Sequence, residues 1–219
     1  MLEVMAENFW TIFMQGLTTT LPLALGSFSL ALVIAILAAL ARYGKVPVLT
    51  QIIKFYVWLI RGTPLLVQLM IGFYGVSSLG YRVNPWVAAV IVFALNEGAY
   101  CSETMRGALE AVPPGQLEAG YCVGMNYVQI MWHIVLPQAM RTALPSLMNS
   151  LISMVKDTSL ASSITVTEML YRSQRIAGKN YKFMAMYTLV ALVYLIFCTV
   201  LTYLQSIVEK KLNHYGRKG

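Results

Sequence analysis

Arg61, Glu97, Glu103, Lys156 and Asp157 sit within otherwise apolar stretches of this chain. An ionised group near the centre of a bilayer costs at least ~2.5–3.5 kcal/mol on insertion scales, so such residues normally face a protein interior or a watery path. At about 100° per residue, Asn96, Glu97, Tyr100, Glu103 and Thr104 fall within about 120° of one helix face. Asn149, Ser150, Ser153, Lys156 and Asp157 occupy a similar arc on another helix, with Ser146 below them. Each stripe can meet the other, a partner subunit or a central passage. The chemistry on offer is recognition. Glu97 and Asp157 can hold an ammonium, while Arg61, Asn149 or a hydroxyl such as that of Ser153 can hold a carboxylate. The alternative is interhelical pairing, for example Glu103 with Arg106 at i, i+3. For Arg61, pairing with an acidic stripe residue is preferred over binding a carboxylate.

A second group is defined by spacing. Glu118-Ala119-Gly120, then Gly124, then Ile134-Val135-Leu136-Pro137 lie in a segment, 118–137, too polar to span a membrane. A third string, Arg61-Gly62-Thr63-Pro64, predicts a kink. Pro64 removes the bond to the carbonyl of Ile60, and Gly62 weakens the same turn. Freed carbonyls in a membrane helix often line a cavity. The sequence shows no metal cluster, no nucleophile beside a base and no cofactor loop, so an enzyme is not expected and the catalytic and metal sites are expected to be none. Cys101, Cys122 and Cys198 read as buried small hydrophobes.

The elements that must position these residues are membrane helices. Hydrophobic residues make up 58% of the chain and charged ones 11%, with a mean hydropathy of +0.65, whereas soluble domains carry about 25% charged residues. No charge occurs from Asn8 to Ala41 or from Phe183 to Val208, and each run exceeds the ~20 residues a spanning helix needs. The first is not expected to be a cleaved signal, because Glu3 and Glu7 stand where a basic start belongs. The fold class expected is an all-α integral membrane protein, forming a single domain over 1–219 with about five spans: 18–41, 52–76, 84–106, 142–164 and 184–207. The long connection 107–141 holds the spaced segment, set off from the third span by Pro113 and Pro114.

Charge sets the orientation. With the start outside, cytoplasmic segments hold Arg42, Lys45, Lys54, Arg106, Arg141, Lys210, Lys211, Arg217 and Lys218, against Arg82, Arg172, Arg175, Lys179 and Lys182 outside. That bias places the N-terminus outside and the C-terminus in the cytoplasm. The external cluster Arg172–Lys182 is either a solvated loop or a docking surface for an acidic partner. The net charge of +7 belongs to these membrane flanks and membrane lipid, and no nucleic-acid partner is expected.

The segment 118–137 resembles the coupling loop of the membrane subunits of ATP-binding-cassette importers, departing from the family pattern at Gly120, where alanine is commoner. Three further strings are similar to permeases of the polar amino-acid uptake branch, whose substrates include histidine, glutamine, arginine and cystine. They are Arg61-Gly62-Thr63-Pro64-Leu65-Leu66-Val67-Gln68, Glu103-Thr104-Met105-Arg106-Gly107-Ala108 and Lys156-Asp157-Thr158-Ser159-Leu160. The resemblance implies a type I importer in a bacterial inner membrane, with Glu118, Ala119, Gly120, Gly124, Ile134, Leu136 and Pro137 engaging the ATPase. It implies as partners a second permease subunit, identical or closely related, two cytosolic ATPases, an extracytoplasmic binding protein and a polar amino acid. The chain has no phosphate-binding G-x-x-x-x-G-K-[ST] loop, so ATP and Mg are expected on the ATPase partner and no cofactor on this chain. Two intramembrane acids favour a cationic or zwitterionic substrate such as arginine, histidine or cystine. The alternatives are an ATP-independent carrier or channel, and the non-binding half of a heterodimeric permease.

Overall fold

A computed structural model describes residues 1–216, with side chains for residues 1–211. Helices dominate, and no strand occurs among the described residues. Helix α1 runs over Leu2–Tyr43, interrupted only by a π-turn at Gly16–Thr20. It starts well before the expected residue 18 because nothing in the first turns breaks a helix. Aromatic residues also anchor that start, with the Phe13 ring 5.3 Å from that of Phe197.

Helices α2 (Pro47–Arg61) and α3 (Leu65–Ser78) meet at an angle of 104°. The expected single span at 52–76 is therefore a broken element, and the break falls at Gly62-Thr63-Pro64. Helix α4, Pro85–Glu110, is capped by Asn84, whose side chain accepts from the Trp86 amide at 2.9 Å. The short α5, Pro114–Cys122, follows the proline pair. Helix α6 occupies 127–157 without a break, as Tyr127–Ile130, a π-turn at Met131–Val135, and Leu136–Asp157. The fourth span was expected at 142–164. In the structure the helix begins earlier, and a 3-10 segment, Thr158–Ile164, replaces its end. Helices α7, Met169–Asn180, and α8, Phe183–Gly216, complete the chain.

The main core joins Phe28, Ala35 and Ala39 of α1 to Ala88, Ala89, Phe93 and Met105 of α4 and to Leu147, Leu151 and Met154 of α6. Alanine faces let α1 and α4 approach closely, the packing that membrane helices favour. A second cluster ties Ile12 to Met169, Met186, Val193 and Phe197. By length and composition α1 and α8 can cross a membrane, and α2 with α3 can if the bent pair is one span. Helices α4 and α6 do not meet that test, since they carry the polar stripes. Cys101 is buried, but Cys122 is exposed and Cys198 half-buried, so the expectation of three buried thiols holds only for the first.

Candidate functional site

Helices α4 and α6, with the break before α3, line an open cleft of about 480 Å³. Its wall includes Glu97 and Tyr100 from α4 and Asn149, Ser153 and Asp157 from α6. These sequence-predicted residues thus share one space, of a size suited to a small ligand. Glu97 is 9% exposed and Asn96 7%, and Glu97 accepts a weak hydrogen bond from the Cys101 thiol at 3.5 Å. Arg61 stands apart from the acids. It ends α2, and its guanidinium lies 5.1 Å from the centre of the Tyr100 ring. The acidic pairing expected for Arg61 is absent among the described residues: the sharp bend aims the side chain at an aromatic face, a cation–π arrangement.

The stripe on α4 divides by function. Glu97 faces the cavity, whereas Glu103 binds Arg42 of α1 and, at 3.0 Å, Arg106 of its own helix. Arg106 also reaches Glu110 at 2.6 Å. The Glu103–Arg106 pairing was legible from i, i+3 spacing. The bond to Arg42 was not, because it joins two helices far apart in sequence.

Gln68 holds the break together. Its amide nitrogen donates to the Ile60 carbonyl at 2.8 Å, to the Thr63 carbonyl at 3.1 Å and to the Thr63 hydroxyl at 2.8 Å. Its oxygen accepts from the Asn96 amide at 3.0 Å. One side chain therefore satisfies the backbone that Pro64 frees and ties the bend to the cavity wall. In the sequence Gln68 stands only as the last residue of a motif string. The signal available was an amide four residues after a helix-breaking proline.

In the 118–137 segment, Gly124 adopts φ +82°, the left-handed region that only glycine enters at little cost. It turns the chain between α5 and α6, and a reciprocal cap follows. The Gln129 amide donates to the Asn126 side chain at 2.9 Å, and the Gln129 side chain accepts from the Asn126 amide at 2.8 Å. Glu118 and Ala119 are exposed, Gly120 is buried, and Ile134, Leu136 and Pro137 lie within the continuous α6. Pro137 cannot donate to the preceding turn, and the π-turn sits immediately before it. Tyr121, Val123, Val128 and Trp132 are each more than half exposed, a concentration of apolar surface that suits an interaction face.

Gly120 has a local explanation. A Cβ there would meet the Ile130 side chain at 2.7 Å, so Ile130 already fills the space an alanine methyl would use.

Glu168 is a buried acid that no sequence motif marks. It is fully buried and caps α7, accepting from the amides of Leu170 at 2.8 Å and Tyr171 at 2.5 Å and from the Tyr194 hydroxyl at 2.7 Å. Burial outweighs those bonds and pushes its carboxyl up to about 7. Its only sequence signal was an acid directly before a helical pattern.

Comparison with known proteins now places this architecture. Residues 10–214 match the family described as binding-protein-dependent transport system inner membrane component. The L-cystine transport system permease protein TcyB of Bacillus subtilis is 41% identical over 217 residues, spanning 99% of this chain and 93% of that protein. The arginine transport system permease protein ArtQ of the same organism is 30% identical, spanning 91% and 92%. A crystal structure of an amino acid ABC transporter with histidines superposes with a TM-score of 0.86 at 29% identity, covering 94% of this chain and 96% of that one. The MetNI methionine transporter shares the fold, with a TM-score of 0.68 at 16% identity over 97% of both chains. The chain belongs to the binding-protein-dependent transport system inner membrane component family, as an ABC transporter permease with the type I importer fold.

Proposed function

We propose that this chain is the permease subunit of an ATP-driven importer that carries a polar amino acid into the cytoplasm. The observation that carries the proposal is the shared cavity of Glu97, Tyr100, Asn149, Ser153 and Asp157, one wall of which is the same unbroken helix that begins in the 118–137 segment. Glu97 and Asp157 would hold ammonium groups. Asn149 and Ser153 would hold a carboxylate, and Arg61, at the Tyr100 side, would receive one entering or leaving.

A disulfide-linked amino acid with two ammonium and two carboxylate groups uses that donor and acceptor set more fully than arginine does. The higher identity to a cystine permease than to an arginine permease points the same way. Cystine is therefore the first choice and a cationic amino acid the second.

The partners are a second permease subunit, two cytosolic ATPases carrying ATP and Mg, and an extracytoplasmic binding protein. The N-terminus lies outside and the C-terminus in the cytoplasm. The exposed apolar residues Tyr121, Val123, Val128 and Trp132, with Glu118 and the Gly124 turn, form the face on which the ATPase seats. Coupling requires that nucleotide bind two states of the bundle unequally.

The test is uptake of labelled cystine, arginine and histidine by cells lacking this chain and complemented with it. Uptake should require ATP and survive collapse of ion gradients. Uptake that follows an ion gradient and persists without ATP would establish a secondary carrier instead.

A further inference from the structure

A second cavity, of about 670 Å³, lies away from the acidic one, where α1 ends, α2 begins and α4 ends. Its wall contains Arg42, Lys45, Lys54 and Arg106, together with one carboxylate, Glu110. Two carboxylates, Glu103 and Glu110, engage the arginines, and among the described residues neither lysine has an ion-pair partner. Two positive charges are therefore left facing an open space. The arginines are held in place by their bridges, so the site has a fixed floor and two free cationic arms.

Two more observations point to an anion. Helix α2 begins here with Pro47 and has no side-chain cap, so its first free amides and positive dipole end face the cavity. The Thr50 hydroxyl on the same wall is buried and has no hydrogen-bond partner.

The surroundings identify the class of anion. Val48, Ile52 and Phe55, on α2 beside the cavity, are each more than half exposed and supply an apolar track leading away from it. A basic pocket between helices at the cytoplasmic boundary, continuous with an apolar face, matches a phospholipid: headgroup in the pocket, acyl chains along the helix. We propose that this cavity binds the phosphodiester of an anionic phospholipid headgroup. Lys45 and Lys54 grip the phosphate, and Arg42 and Arg106, already paired with Glu103 and Glu110, form the floor beneath it. The placement in the cytoplasmic leaflet rests on the orientation proposed above, since the cavity lies at the end of α4 that leads into the 118–137 segment.

The experiment uses the full chain in nanodiscs containing phosphatidylglycerol and phosphatidylcholine, with retained lipid read by native mass spectrometry. The wild type should retain phosphatidylglycerol preferentially. Lys45→Gln with Lys54→Gln should lower that retention about tenfold or more, while Lys45→Arg with Lys54→Arg should preserve it. An unchanged melting temperature in the neutral variant keeps misfolding from imitating the loss. Equal retention of the two lipids by the wild type, or equal retention of phosphatidylglycerol by wild type and neutral variant, would overturn the site. Displacement of the lipid by inorganic phosphate alone would assign the pocket to a free anion and overturn the lipid proposal. None of these readings needs ATP, a binding protein or transport. Labelling of Lys45 by an impermeant amine reagent outside intact cells would overturn the orientation and leave the lipid site standing.

Discussion

The side-chain nitrogen of Gln68 lies 2.8 Å from the carbonyl oxygen of Ile60, occupying the bond that Pro64 takes away from the backbone. The repair makes a 104° bend affordable inside an apolar setting, where an unpaired carbonyl costs several kcal/mol. Gln68→Leu should therefore lower stability by about 1–3 kcal/mol and reduce uptake as well, because Asn96 loses its partner on the cavity wall. Gln68→Glu keeps one acceptor for Asn96 but cannot donate to Ile60, and it should fall at or below the leucine variant. Thermal unfolding and uptake at matched protein level measure both.

Gly120 and Ile130 form a volume pair. Gly120→Ala places a methyl 2.7 Å from Ile130 and should cost about 1–3 kcal/mol through overpacking. Combining it with Ile130→Ala, which removes the Cγ1 and Cδ1 atoms that the methyl would meet, should cost less than the sum of the two single losses. A double-mutant cycle showing simple additivity would mean that the two side chains do not share the space.

Gly124 reports on geometry and attachment separately. Gly124→Ala should cost about 1–2 kcal/mol through the left-handed backbone, with partial transport retained. Gly124→Asp should insert normally but lose both transport and co-purification of the ATPase, since it adds a charged side chain to the exposed face proposed as the ATPase seat. Normal co-purification together with normal uptake in the aspartate variant would remove Gly124 from that face.

Asp157 lines the acidic cavity, and no hydrogen bond from another residue holds its carboxylate among the described residues. Asp157→Asn should reduce uptake by at least about tenfold, the loss of one charge-assisted contact, while leaving assembly and melting temperature close to wild type. Unchanged uptake kinetics at equal protein level would exclude it from the substrate path.

Glu168 gives a pH dependence with a defined sign. Its folded-state carboxyl is raised from 4.5 to about 7, so the folded state holds a proton that the unfolded state releases. The stabilisation is fully present below pH ~4.5 and is lost as pH rises through about 7. Melting temperature should fall across that window, and Glu168→Gln should flatten the slope. An equally steep slope in the glutamine variant would place its origin elsewhere.

The sequence carried the all-helical class, the two long apolar helices, the stripes and the position of the kink, because those follow from hydropathy, helical period and one proline. Gly124 stood out by its spacing in the 118–137 pattern, and the structure puts a left-handed turn there. The sequence did not carry the severity of the bend, the Gln68 repair or the Arg42–Glu103 bridge. Each of these depends on which residues meet across the bundle, and Arg42 and Glu103 are 61 residues apart. The ends of the helices were also misjudged. Charge marks where a helix leaves the apolar layer, not where it stops hydrogen bonding, so α1 and α6 both begin earlier than their apolar runs.

The continuity of α6 has a mechanical consequence. At 1.5 Å per residue the helix over 127–157 is about 45 Å long, with Tyr127 near one tip and the cavity residue Asp157 at the other. Pivoted near its middle, it works as a seesaw: with arms of about 22 Å, a tilt of about 5° shifts each tip by about 2 Å in opposite directions. An inward pull at Tyr127 would arrive at Asp157 as an outward push, with no intervening loop to absorb it. Asn149, Ser153 and Asp157 all lie on the arm beyond the pivot, so the cavity wall would move as one piece and opposite to the 118–137 segment.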